Sequence, residues 1–189
     1  MGRQLRRSLA ILLAAVVGTT AGLVGSFIAT PAFASAPGPF EIISNDTGYP
    51  TATRCIDVES WSQANGARVQ LYTCRAAGYI QSNQSFFLYP TGYPNVWSIR
   101  ASHSAKCLDI KDYSPYQGAL VQQWDCTDMY NQQFELAYIN SSDFYIKPLT
   151  AAWPDTWCLK ISGFTGDGSN IMQSTCTASP NTLWHLRAV

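Results

Sequence analysis

Large apolar residues alternate with polar ones over short stretches of this chain, and the same stretches return three times. Phe40-Glu41-Ile42, Trp97-Ser98-Ile99 and Phe144-Tyr145-Ile146 each open a set, with the period of two expected of half-buried strands. Each set continues as Cys55-Ile56-Asp57-Val58, Cys107-Leu108-Asp109-Ile110 or Cys158-Leu159-Lys160-Ile161. The alternation puts residues 57, 109 and 160 on the face opposite their apolar neighbours. A turn follows with glycine at one fixed offset, at Asn65-Gly66, Gln117-Gly118 and Asp167-Gly168. These are hairpin signals, because glycine accepts the positive φ that a tight turn needs. Return strands are predicted at Val69-Gln70-Leu71-Tyr72, Val121-Gln122-Gln123-Trp124 and Ile171-Met172-Gln173-Ser174. The sets close on Asn83-Gln84-Ser85-Phe86, Asn131-Gln132-Gln133-Phe134 and Asn181-Thr182-Leu183-Trp184. No amphipathic helix is legible after residue 35, and one-turn pieces are expected near Gln81, Met129 and Pro180. The Pro-containing segments 47–53 and 149–156 read as surface loops.

Spacing turns these elements into an architecture. The first cysteines fall at 55, 107 and 158, steps of 52 and 51, and the closing aromatics at 86, 134 and 184, steps of 48 and 50. Three copies at this period are too few for a solenoid or an ordinary propeller and suit a threefold closed β structure. The repeats run over about 38–92, 93–139 and 140–189. Phe86, Phe134, Trp184, Trp97 and Phe144 are expected in the core. Trp61, Tyr113 and Tyr116, just before the hairpin glycines, are placed to rim pockets.

The N-terminal residues read differently. Arg3, Arg6 and Arg7 precede an apolar stretch over 9–28, and Ala32-Phe33-Ala34 offers a small-x-small cleavage pattern. A signal peptide over 1–34 is therefore expected, with the domain over 35–189 and Ser35 as the mature N-terminus. The stretch is long enough for a membrane anchor, but the cleavage pattern favours export, leaving a secreted protein. Arg6-Arg7 keeps the export route open. All twelve Asp and Glu lie after residue 34 but only nine of the twelve Lys and Arg, so residues 35–189 carry a formal charge of −3. That argues against a nucleic-acid surface, which needs clustered positive charge.

All six cysteines also lie after residue 34, two per repeat. Fifteen pairings exist in principle. Closing one loop inside each repeat, Cys55–Cys74, Cys107–Cys126 and Cys158–Cys176, treats the three units alike. Such loops contribute roughly 3 kcal/mol each on the chain-entropy account, in a compartment where disulfides persist. A metal centre has little to draw on: there is no Cys-x-x-Cys, and His103 and His185 are the only imidazoles. No cofactor is called for.

Cys-x-Asp-[Val/Ile], Gly-x-x-Val-Gln-x-aromatic-x-Cys and Asn-Gln-x-[Phe/Trp], in threefold repetition, resemble the ricin B-type lectin family over roughly residues 38–189. The resemblance implies an all-β fold, the β-trefoil, and a carbohydrate partner of galactose or xylan type. Carried over position by position, it implies sugar sites at Asp57, Gln70, Tyr72, Asn83 and Gln84 and at Asp109, Gln122, Trp124, Asn131 and Gln132. In those roles Asp and Asn bond vicinal hydroxyls, the ring stacks on the sugar, and the glutamines support the site. The residue types suit the task. A carboxylate accepts hydroxyl protons in directional, charge-assisted bonds, and an aromatic ring covers the C–H face. In the third repeat Lys160, Met172, Ser174 and Thr182 replace four of the five residues and only Asn181 remains. Lysine cannot accept a hydroxyl proton, so this repeat is expected to keep its fold without a site.

An enzyme finds little support. There is no Gly-x-Ser-x-Gly elbow, and Asp57 and Asp109 belong to separate pockets instead of facing one bond. The chain is expected to act as a monomer. A protein-binding trefoil with decayed sites, such as a protease inhibitor or surface adhesion factor, is the alternative, and the two complete sets of Asp, amide and ring speak against it. Asn45, Asn83 and Asn140 head glycosylation tripeptides, which carry meaning only in a eukaryotic source.

Overall fold

The computed structural model describes residues 38–46, 53–75, 83–150, 157–163 and 166–189. The expected signal peptide, most of the two Pro-containing loops and the one-turn piece near Gln81 lie outside the described residues. Twelve strands follow one another: β1 (Phe40–Ser44), β2 (Arg54–Val58), β3 (Val69–Thr73), β4 (Phe86–Pro90), β5 (Val96–Ala101), β6 (Cys107–Ile110), β7 (Val121–Trp124), β8 (Phe134–Tyr138), β9 (Phe144–Pro148), β10 (Trp157–Ile161), β11 (Ser169–Thr175) and β12 (Trp184–Ala188).

Six of them close a ring. Antiparallel pairing runs β1–β4, β4–β5, β5–β8, β8–β9, β9–β12 and back from β12 to β1. A closed ring of this kind leaves no unpaired edge among those strands. The other six form three hairpins, β2–β3, β6–β7 and β10–β11. The hairpins meet through equivalent positions: Arg68 bridges to Gln122, Leu120 to Met172 and Asn170 to Gln70. This is a β-trefoil, a barrel capped by a triangle of hairpins.

The core is the apolar alternation turned inward. Ile42, Phe86, Ile99, Phe134, Phe144 and Trp184 are fully enclosed with their neighbours from every repeat. Enclosing each such side chain is worth roughly 1.5–3 kcal/mol. The Trp184 indole donates to the Leu159 carbonyl at 3.1 Å, so its polar edge is satisfied inside. Trp97 departs from expectation: it packs against the core but is only half-buried. All six cysteines are bonded in the expected scheme. Gly66, Gly118 and Gly168 have φ of 82°, 89° and 84°, as the turns require.

Single 3-10 turns occur at Tyr130–Gln132 and Pro180–Thr182, where short pieces were expected. Two more, Glu59–Trp61 and Lys111–Tyr113, were not anticipated. Each holds two consecutive left-handed residues, Ser60 and Trp61 (φ 55° and 57°) and Asp112 and Tyr113 (φ 58° and 54°). None is glycine, and side chains bearing a Cβ seldom adopt this backbone, so local sequence gave no hint of it.

Candidate functional site

Asp57 on β2 and Gln70 on β3 are register partners, as are Asp109 on β6 and Gln122 on β7. Side chains at one register position share a face of the hairpin. In the first repeat Gln70 Nε2 donates to Asp57 Oδ1 at 3.0 Å. Asn83 Nδ2 and Gln84 Nε2 donate to Oδ2 at 2.9 and 3.0 Å. The turn carrying those two amides is itself fixed, because Val58 N donates to the Asn83 carbonyl at 2.9 Å and Gln84 Nε2 also reaches the Thr73 carbonyl at 3.2 Å.

The second repeat builds the same cluster. Gln122 Nε2 donates to Asp109 Oδ1 at 2.9 Å, and Asn131 Nδ2 and Gln132 Nε2 donate to Oδ2 at 2.7 and 2.9 Å. A carboxylate offers about four acceptor positions, so three amides leave each Oδ1 room for one more proton. Burial pushes both carboxyls above the ordinary carboxylate range. The amide bonds pull the other way, helped at Asp57 by the charge of Arg75, while at Asp109 the charge of Asp112 adds to the rise.

Both carboxylates lie at the base of open pockets. The first, about 470 Å³, is lined by Asp57, Gln70, Tyr72, Asn83 and Trp61, with Arg68, Arg75, Glu59 and Asp167 among the remainder. The second, about 270 Å³, is lined by Asp109, Gln122, Trp124, Asn131, Gln132 and Tyr113, with Asp112, Thr127 and Met129. Tyr72 and Trp124 are 39% and 41% exposed, and Trp61 and Tyr113 are 40% and 39% exposed, so each pocket presents two usable rings. Tyr116 lines neither and is exposed to solvent. Asn83 Oδ1 is buried and has no hydrogen-bond partner among the described residues. Such an acceptor is expensive to leave unmade. With its amide spent on Asp57 and its side chain enclosed, Asn83 is unsuited to carry a glycan.

The structure thus brings together all five predicted residues in each of the first two repeats. The third is spent internally. Lys160 pairs in register with Met172 where Asp and Gln stand elsewhere. Ser174 accepts from Gln117 Nε2 at 3.2 Å, Thr182 Oγ1 donates to the Ser179 carbonyl at 2.8 Å, and Asn181 Oδ1 accepts from Ser179 Oγ at 2.6 Å. The two histidines also have structural employment. His103 Nε2 contacts the Ser62 carbonyl at 2.9 Å, and His185 Nδ1 contacts Asn45 Oδ1 at 2.7 Å, with burial lowering the His185 pKa.

Residues that sequence reasoning passed over are Gln123 and Gln173, both fully buried. They stand beside Gln122 and Met172 but point to the other face. Their signal was a polar residue at a position whose counterpart in the first repeat, Leu71, is apolar.

A model of the ricin-type β-trefoil lectin domain matches residues 95–189. No curated relative matches the chain. Among solved structures, the designed threefold-symmetric protein ThreeFoil superposes with a TM-score of 0.69 at 24% identity, over 81% of this chain and 100% of its own. The exo-β-1,3-galactanase 1,3Gal43A from Clostridium thermocellum gives 0.69 at 22% identity, over 82% of this chain and 31% of the enzyme. The C-half of an earthworm R-type lectin, in complex with GalNAc, gives 0.57 at 15% identity, over 80% of this chain and 100% of its own. At these identities the likeness is one of fold.

Proposed function

The chain belongs to the ricin-type β-trefoil lectin family, and we propose that it is an exported, non-catalytic carbohydrate-binding protein. In this reading the pockets of the first and second repeats take galactose-type or xylan-like glycans, and the third repeat is structural. One observation carries it: a buried carboxylate held by three amides, at the base of an open pocket with half-exposed rings, occurs twice and is dismantled in the third repeat.

The arrangement suits polyols. Amides fix the carboxylate before any ligand arrives, so little ordering remains to be done on binding. Oδ1 then accepts one sugar hydroxyl. Tyr72 or Trp124 covers the C–H face, with Trp61 or Tyr113 closing the opposite side. Three disulfides favour a compartment outside the cytosol. The earthworm lectin holds GalNAc and the Clostridium protein is an exo-β-1,3-galactanase, which lends weight to the galactose-type arm.

The test is retention of residues 35–189 on galactose- and xylan-substituted resins, with release by free sugar, followed by calorimetry on the Asp57→Ala, Asp109→Ala double variant. Retention of wild type and loss in the double variant are expected. Undiminished affinity in a folded double variant would overturn the site assignment.

A further inference from the structure

We infer that the rim of each sugar pocket is held in its binding shape by a glutamine belonging to the next repeat, Gln123 for the first pocket and Gln173 for the second. The inference rests on the reading of these pockets as sugar sites, and deepens it by naming positioning residues outside them.

The observation begins with the two left-handed turns. Ser60-Trp61 and Asp112-Tyr113 bring a half-exposed ring to each pocket through backbone that L-residues rarely adopt. Such a conformation persists only where the surroundings over-determine it. Backbone bonds from Ser62 N to the Glu59 carbonyl and from Ser114 N to the Lys111 carbonyl close the turns. His103 contacts the Ser62 carbonyl and Trp157 Nε1 donates to the Pro115 carbonyl, and in both repeats a buried glutamine amide binds two carbonyls of the segment. Gln123 Nε2 donates to the Ser62 carbonyl at 2.7 Å and to the Ala64 carbonyl at 3.0 Å, while its Oε1 accepts from Ser104 Oγ at 2.8 Å. Gln173 Nε2 donates to the Ser114 carbonyl at 2.8 Å and the Tyr116 carbonyl at 2.5 Å, while its Oε1 accepts from Thr150 Oγ1 at 3.0 Å. Both amides are fully buried, and each ties the three residues directly after its rim aromatic.

Backbone alone does not explain the choice of glutamine. The main-chain bonds at this position are threefold: Gly66 N donates to the Gln123 carbonyl, Gly118 N to the Gln173 carbonyl and Gly168 N to the Leu71 carbonyl, at 2.9, 2.8 and 2.9 Å. Only the side chain differs. Leu71 occupies the third position and can tie nothing, and the turn it faces carries Gly163 (φ 72°) where the others carry Ser60 and Asp112. Glycine adopts that backbone without help. The repeat without a sugar carboxylate is thus the one with glycine at the first left-handed position and with leucine in place of the strut. Three positions change together, the carboxylate to Lys160, the first left-handed residue to Gly163 and the strut to Leu71, which a purely structural glutamine would not require, since Leu71 shows that the fold accepts leucine there.

The arrangement is crossed, and so is its test. Gln123→Leu and Gln173→Leu are made in two backgrounds, Asp109→Ala (first pocket alone) and Asp57→Ala (second pocket alone), and titrated with lactose and xylotriose by calorimetry. Gln123→Leu is expected to weaken the first pocket by about tenfold, as loss of two hydrogen bonds would, and to leave the second unchanged. Gln173→Leu is expected to do the reverse. Equal losses in both pockets, or none, would overturn the inference. A second readout uses no sugar: hydrogen exchange of amides 60–66 should speed up in Gln123→Leu, with 112–118 unaffected, and the opposite in Gln173→Leu. That comparison decides the inference even if neither sugar binds, whereas full affinity in the Asp57→Ala, Asp109→Ala double variant would sink only the underlying site reading. Gln123→Met and Gln173→Met serve where the leucine variants fail to fold, with the same outcomes expected.

Discussion

Gln70 faces Asp57 across the β2–β3 hairpin as its register partner and donates to Oδ1 at 3.0 Å. The pairing recurs as Gln122 with Asp109 and becomes Met172 with Lys160 at the same position of the third hairpin. The amide-held carboxylate is thereby a product of strand register. A slip of one residue would send both side chains to the other face.

Removing the carboxylate should cost binding and some stability together. Asp57→Ala strands three amide donors that now converge on it. We expect first-pocket affinity to fall by roughly tenfold to a hundredfold and stability by about 1–3 kcal/mol. Gln70→Ala should do less of both, because two donors remain. Calorimetry and urea unfolding on the pair of variants check this; equal effects would contradict the cluster described.

Acid should release sugar before it harms the fold through these groups. Burial raises Asp57 and Asp109 above their ordinary value of 3.8. Between 3.8 and its native value, each carboxyl holds more protons folded than unfolded, so stability from these groups rises as pH falls through that window and declines as pH climbs back. Sugar binding has the opposite sign, because a protonated carboxyl has lost acceptor capacity. Affinity measured downward from pH 7 should therefore begin to drop above pH 3.8, with no matching fall in Tm assignable to these two residues. A flat affinity down to 3.8 would show that the ionised form is not required.

The third repeat should be silent in binding and essential in folding. Lys160→Ala is expected to leave the sugar isotherm unchanged. Replacing Cys158 and Cys176 by alanine removes a cross-link of sequence separation 18 and should cost about 2–5 kcal/mol, read as a lowered Tm with affinity intact in whatever remains folded.

Charge should separate the two pockets. In the first, Glu59 pairs with Arg68 at 2.8 Å and Asp167 with Arg54 at 2.5 Å, while Arg75 lines the pocket and its charge acts on Asp57. The second has Asp112 on its lining and no cation. A xylo-oligosaccharide bearing a uronic acid should favour the first pocket over the second by roughly two- to fivefold at low salt, the scale of an exposed charge pair, and added salt should narrow the gap. Arg75→Gln should abolish the preference; persistence of the gap in that variant would assign it to something other than charge.

Much of this was legible in the chain itself, for physical reasons. Period-two alternation and a glycine at one offset specify a hairpin locally, and repeating them three times leaves few closed solutions. Asp57 and Asp109 could be singled out because their replacement, Lys160, is chemically incompatible with the same task. What could not be read was non-local or against local preference. The left-handed backbone at Ser60-Trp61 and Asp112-Tyr113 opposes the residues' own leanings. Gln123 shares the inward face of its strand with Val121, where alternation calls for an apolar side chain, and only the neighbouring hairpin explains why it is polar. Trp97 was expected deeper than it lies, because alternation ranks faces and does not say how fully each is covered.

The ring also has a seam. β1 and β12 pair over five registers, and Arg187 Nε donates to Glu41 Oε2 at 2.7 Å across 146 positions of sequence. The earliest strand of the barrel therefore lacks one of its flanks until the last has been synthesised. Assembly has to wait until β12 has been made, and a ribosome-bound fragment stopping short of residue 184 would hold an open, adhesive margin in place of a barrel.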